Sequence, residues 1–168
     1  MKQVFPYLLA MLGMALGVFI AILFGVNEDF FKNRIKRGLE QNQKINAIAD
    51  IETRTQKLKA EADKNWRYYQ RYHFHATGIG AMSLALLIFL SFVRGPETVK
   101  LVFSYVTSIG GFFYPFVWLF AAIYGPEMGR SEAKEAFALF GYSGGLFLVG
   151  ILGIMFLTVR YSPDWKTT

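Results

Sequence analysis

The sequence predicts an all-α integral membrane protein, with four transmembrane helices and a cytoplasmic helical extension between spans one and two. Three observations carry that prediction. The 168-residue chain is 54% hydrophobic and only 18% charged, less charge than a soluble domain usually carries. Four stretches hold no formal charge: Gln3–Asn27 (25 residues), the 22 residues between Arg71 and Arg94 with both histidines neutral, Leu101–Pro126 (26) and Ala136–Val159 (24). Each can supply the roughly 20 helical residues that cross a hydrocarbon core about 30 Å thick. One such run can hide inside a soluble core, but four leave too little polar chain to cover them. The whole chain, 1–168, is therefore read as a single membrane domain.

Span one is placed over 4–26. A lysine followed by an apolar run resembles a secretory leader. This run is longer than a leader's apolar region and lacks a small-x-small cleavage site, so a retained helix is expected. Asn27 suits a helix N-cap, with Glu28 and Asp29 in the favourable first turn. The polar segment 28–73 follows. Phe31, Ile35 and Leu39 recur every four residues as one narrow apolar stripe. Gly38 and the QNQ after Glu40 suggest where that helix ends. A second polar helix is expected to begin near Asp50 or Thr53, the latter in capping-box spacing with Gln56. Leu58, Ala62, Trp66, Tyr69 and His73 then trace one helical face directly into span two, 74–93. This extension is either packed on a neighbouring helix or a docking arm for a partner, with Trp66, Arg67 and Arg71 as the candidate contacts to a partner or to lipid headgroups.

Gly95-Pro96 closes span two. Span three, 101–124, ends at Gly125-Pro126 and contains Pro115, which removes a backbone hydrogen bond and predicts a kink. Ser131, Glu132 and Glu135 suit the start of span four, 136–159. Trp66, Tyr68, Tyr69, Tyr72, Trp118, Tyr124, Tyr161 and Trp165 fall where aromatic belts form. Of the 18 Lys and Arg residues, 13 lie between Asn27 and Tyr72 or in the third loop, as Arg130 and Lys134. The other 5 are Lys2, Arg94, Lys100, Arg160 and Lys166. The positive-inside rule then places both termini on the non-cytoplasmic side. A bacterial inner membrane is the expected setting.

Lipid is as apolar as leucine, so spans associate through small residues that let backbones approach. Gly13, Gly17, Ala21 and Gly25 form an unbroken small-xxx-small stripe in span one. Thr77, Ala81 and Ala85 form another in span two. Gly141 and Gly145 form a third pair in span four, followed by Gly150 and Gly153. Each marks a packing interface with a helix of this chain, of a second copy or of another subunit.

Candidate chemistry is sparse. With no cysteine, thiolate metal sites and Fe–S clusters are excluded. The net charge of +6 comes from residues flanking apolar runs, which points to a membrane surface and not to nucleic acid. His73 and His75 are the two histidines. Two residues apart on a helix, they diverge by about 200° and cannot ligate one iron from the same helix. A haem shared between two copies, or a quinone beside His75 with His73 in support, remains as an alternative. Glu127, Glu132 or Glu135 of the third loop is a possible hydrogen-bond partner for either histidine. A pocket near Tyr105, Tyr114 and Tyr142 would suit a neutral solute or a quinone, giving a channel or carrier as a further alternative. No Walker loop, HExxH or serine-elbow motif is present, no cofactor is required, and no enzyme activity is indicated. The expectation is a small accessory or assembly subunit of a larger membrane complex, or a homo-oligomer.

Overall fold

The computed structural model describes residues 4–163; Lys2, Trp165 and Lys166 of the charge and aromatic assignments lie outside them. Eight helices follow in order: α1 (Phe5–Val26), α2 (Glu28–Glu40), α3 (Gln43–Asn46), α4 (Ile51–Phe92), α5 (Glu97–Phe113), α6 (Phe116–Met128), α7 (Arg130–Ala136) and α8 (Ala138–Tyr161). Four helical segments are long and apolar enough to cross a membrane: α1, α4, the α5–α6 pair and α8. Among the described residues, β pairing is limited to an isolated bridge between Val93 and Pro163.

Local chemistry sets most boundaries. Pro6 sits in the first turn of α1, where its missing N–H would be unbonded anyway. Asn27 caps α2 as expected, its Oδ1 accepting from the Phe30 N–H at 3.0 Å. Of the two expected starts of α4, Asp50 is the N-cap, and the Thr53–Gln56 capping box does not form. Asp50 Oδ2 accepts from the Thr53 N–H at 2.7 Å, and Gln56 instead donates to Glu52 at 3.3 Å. Nothing then interrupts α4 for 42 residues, about 63 Å at 1.5 Å per residue. The α5–α6 break falls at Tyr114-Pro115. Pro115 has no N–H, and the Val117 N–H reaches back only three residues, to Tyr114 O at 3.3 Å. That tight turn is where the proline interrupts the helix.

The end of this segment is a correction. Helix α6 does not stop at Gly125-Pro126 but carries Pro126 in its last turn and stops at Gly129, whose φ is +102°. Only glycine adopts that conformation readily. The Pro126 ring is accommodated because Gly38 of α2 faces it; a Cβ on Gly38 would lie 2.7 Å from Pro126 Cβ. The third loop also contains a helix of its own, α7, and α8 begins only after Phe137.

Helices α1 and α4 pack antiparallel: Gly17 lies against Thr77, Gly13 against Gly80, and Tyr7 against Leu87. Helix α4 also contacts α5 and α6, and α8 packs chiefly along α5. The α5–α8 seam is backbone on backbone. Gly110 meets the Ser143 carbonyl, where a Cβ would come within 2.8 Å, and Gly150 meets Thr107, again at 2.8 Å from its Cα. Such close approach multiplies the dispersion contacts between the two helices. Beyond one end of this bundle, α2 folds back. Its Phe31, Ile35 and Leu39 are buried with Ile45, Tyr68, Tyr69, Ala121, Ala122 and Ala133 in a separate small core. The first half of α4 is thus packed on α2 and α6, and only its opening turns, Ile51 to Lys57, are fully exposed.

Candidate functional site

The densest polar constellation lies on this folded-back end. Glu61 of α4 receives a forked bond from Arg130 at the start of α7, with Nε at 2.6 Å and Nη2 at 3.3 Å. Its side chain is 13% exposed, and Lys57 and Lys64 stand 3.7 and 3.6 Å away. Burial pushes the Glu61 carboxyl up, but the hydrogen bonds and charge of Arg130, aided by both lysines, bring it below the usual glutamate range. Arg130 is raised in turn, chiefly by its bond to Glu61. One turn along α4, Asn65 is fully buried and donates to the Glu61 carbonyl at 2.8 Å. Lys44 of α3 pairs with Glu132 of α7.

Asn42 ties this end together. Its Oδ1 accepts from the Ile45 N–H at 3.2 Å, capping α3. Its Nδ2 donates to the Pro126 carbonyl at 2.9 Å. That carbonyl lies in the last turn of α6, where backbone acceptors lack intrahelical donors. One buried amide therefore fastens α3 to α6. A cleft of ≈ 200 Å³ opens between these groups. Each ionic group named here lies beside one of opposite sign in the same chain, three cations sharing Glu61, so the arrangement acts chemically as a clasp between α3, α4, α6 and α7.

The histidines point apart, as their spacing predicts. His73 Nδ1 donates to Gly17 O of α1 at 2.8 Å, with Thr77 Oγ1 at 3.5 Å. His75 Nδ1 donates to Arg71 O of its own helix at 2.8 Å, and its ring packs against Tyr114 and Trp118. A carbonyl only accepts, so both rings carry a proton on Nδ1. The third-loop acids do not pair with either histidine: Glu132 goes to Lys44. No group of three metal-ligating side chains occurs among the described residues. The three tyrosines of the suggested pocket do not converge. Tyr105 stacks on Phe5, Tyr114 lies on His75, and Tyr142 faces outward at 76% exposure.

The predicted contact residues divide. Trp66 is half-buried against Phe24, Phe31 and Tyr69 and so packs within the chain. The Arg71 guanidinium covers the Trp118 and Tyr68 rings at 4.9 and 5.5 Å. Arg67 is exposed. The small-residue stripes also divide. Gly13 and Gly17 are buried against α4, Ala21 is half-buried, and Gly25 faces open space. On α4 the face turned to the rest of the chain is Ala76, Gly80, Ser83, Leu87 and Leu90. Thr77 borders Gly17, whereas Ala81 and Ala85 face outward. Gly141 approaches Val117 at 3.8 Å for an added Cβ, while Gly145 has nothing within 4 Å. In α8 the intrachain seam uses Gly150 and Gly153.

Outside the chain's own interfaces, α4 presents an uncovered strip of small residues. Gly78 has no atom within 4 Å of an added Cβ, and Ala81 and Ala85 continue its line. Phe74, Met82 and Ile88 flank them at 66%, 49% and 48% exposure. Comparison with protein-family models, curated proteins and solved structures finds no match to this chain.

Sequence inspection missed Asn42, Glu61, Asn65 and Arg130. Asn65 did carry a signal: it lies in helical register with Tyr68, Tyr69 and Tyr72, a polar residue on an apolar face. The ion pair had none, since Glu61 and Arg130 are 69 residues apart.

Proposed function

We propose that this protein spans a bacterial inner membrane and serves as a non-catalytic accessory or assembly subunit, docking a partner helix through the outward strip of α4. The strip of Gly78, Ala81 and Ala85 carries the reading. A lipid-facing surface gains nothing from small residues, whereas a second helix approaches closely only where they lie. Gly25 and Gly145 add uncovered small positions on α1 and α8. The lysine and arginine distribution supports placing the clasped end in the cytoplasm and both termini outside. In that arrangement the clasp holds the spans in a fixed relation while α4 meets its partner, a different subunit or a second copy. Arg67 and Arg71, both exposed, are the remaining candidates for a partner or headgroup contact.

The test is substitution within the strip. Gly78→Leu and Ala81→Phe add bulk where the chain itself leaves room, so the fold should survive. Assembly on a native gel, extracted from the source membrane in mild detergent, should shift to the free subunit. An unchanged assembled band from both variants would sink the proposal. Gly17→Leu is not a suitable probe of association, because Gly17 is occupied by Thr77 of the same chain.

One observation favours a second reading, a haem or quinone held between copies at His75. Its Nδ1 is anchored to a backbone carbonyl, the arrangement that orients a ligating imidazole. A purified preparation with a Soret band, or with extractable quinone lost in His75→Ala, would support it. A colourless, quinone-free preparation from native membranes would remove it.

A further inference from the structure

We propose that the cavity between α1, α4 and α5, at the end of the bundle away from the clasp, binds a phospholipid whose headgroup carries a primary amine. The inference rests on the membrane-spanning reading above and adds a ligand to it. The cavity holds ≈ 260 Å³, just below the roughly 300–1,000 Å³ of sites that enclose a small molecule. That suits a headgroup with its acyl chains left outside. Its lining comes from the outermost turns of the three helices: Tyr7 of α1, Ser91 of α4, and Glu97, Lys100 and Ser104 of α5. In spanning helices those turns lie at headgroup depth. Leu87 and Leu101 form apolar walls that lead from this level toward the hydrocarbon.

The polar groups are specific about what they accept. Tyr7 donates its hydroxyl proton to Leu87 O at 3.0 Å, Ser91 to Ile88 O at 2.6 Å, and Ser104 to Lys100 O at 2.8 Å. Each hydroxyl has one proton and two lone pairs. With all three protons committed to backbone carbonyls, these oxygens can offer only lone pairs to an occupant. Lys100 is the donor. Its side chain is 14% exposed, although lysine is rarely buried, and its ammonium sits 3.0 Å from Glu97 Oε1. Glu97 is 73% exposed at the mouth. The cavity thus presents a cation inside, an anion at its rim and acceptor oxygens beside them.

A zwitterion of opposite sense complements this pattern. The lipid phosphate meets Lys100, and the ammonium, rich in N–H donors, meets Glu97 and the hydroxyl oxygens. A trimethylated choline headgroup has no N–H to give. A phosphoglycerol headgroup brings net negative charge to Glu97. A quinone carbonyl needs donors where the hydroxyls offer acceptors.

The test is lipid competition. Protein purified in detergent is incubated with an equimolar mixture of phosphatidylethanolamine, phosphatidylcholine and phosphatidylglycerol sharing the same acyl chains, and retained lipid is read by native mass spectrometry. One phosphatidylethanolamine per chain should persist, enriched over the others. Glu97→Gln should lower that enrichment on the order of tenfold, the loss of one hydrogen bond to a charged group, whereas Lys100→Met, which removes the partner of the phosphate common to all three lipids, should lower the retention of all three alike. Both should elute unchanged by size exclusion. Equal retention of the three lipids, undiminished selectivity in Glu97→Gln, or undiminished lipid retention in Lys100→Met overturns the site. Displacement by free O-phosphoethanolamine at concentrations equal to the lipid overturns a lipid as its occupant. Release of the protein from membranes by alkaline carbonate overturns the spanning reading itself. Carbonate-resistant protein without lipid selectivity overturns the lipid site alone.

Discussion

Gly17→Ala and Gly25→Ala are the same chemical change two turns apart on one helix, and the structure assigns them opposite effects. At Gly17 the new Cβ would fall 2.7 Å from the Thr77 backbone nitrogen, with Thr77 Oγ1 closer still and Ala76 Cβ at 3.1 Å. Backbone cannot rotate away, so α1 and α4 must separate. Overpacking of this kind costs about 1–3 kcal/mol. Separation also stretches the bond from His73 to Gly17 O, now 2.8 Å, which adds about 1 kcal/mol. Alanine returns up to about 1 kcal/mol through helix propensity. The net expectation is a loss of about 1–3 kcal/mol at Gly17. At Gly25 nothing lies within 4 Å, so only the propensity gain applies, and the variant should equal or exceed the parent. Thermal unfolding in one detergent, followed by loss of the monodisperse size-exclusion peak, ranks the three proteins. Equal midpoints for the two variants would refute the close α1–α4 packing.

Three further outcomes follow from the same contacts. Asn42→Ala removes the α3 cap and leaves the buried Pro126 carbonyl unbonded; at about 1 kcal/mol for the cap and 1–3 for the orphan, the midpoint should fall clearly, and an unchanged midpoint would dismiss the clip. Glu61 has a depressed pKa, so its contribution is complete above the unfolded value near 4.3 and is lost as pH falls through the folded value. The stability gap between parent and Glu61→Gln should therefore be constant near neutrality and close below about pH 4, as read by thermal midpoints across a pH series. Gly150→Ala should destabilise more than Gly145→Ala in the same assay, because only the former meets backbone, at 2.8 Å from Thr107 Cα.

What the sequence disclosed was local or periodic. Uncharged run lengths located the four long apolar helices, and Asn27 announced the start of α2. The spacing of Phe31, Ile35 and Leu39 announced the face that is buried. Each failure has its own physical cause. Thr53 and Gln56 have capping-box spacing, but Asp50 lies three residues before Thr53 and takes its N–H. Pro126 looks like a helix stop until Gly38, far earlier in the chain, makes room for its ring. Strict four-residue spacing selected Thr77, Ala81 and Ala85. The face that packs alternates steps of four and three, through Ala76, Gly80, Ser83, Leu87 and Leu90, because a helix turns every 3.6 residues. Trp66 resembled a docking residue because nothing in its neighbourhood shows that α2 covers it. The clasp was illegible for the same reason: Asn42 and Pro126 are 84 residues apart, and Lys44 and Glu132 are 88 apart.

That separation has a consequence during synthesis. Asn42 cannot close on Pro126 until the 84 residues between them exist, which takes about 4–17 s at ~5–20 residues per second. For that interval Phe31, Ile35 and Leu39 have no α6 to cover them. The nascent segment then carries an uncovered apolar stripe on a charged helix, the kind of surface that associates non-specifically until it is buried. A ribosome stalled before Pro126 would hold it in that state. The bond from Asn42 to Pro126 can therefore form only late in synthesis, after most of the chain exists.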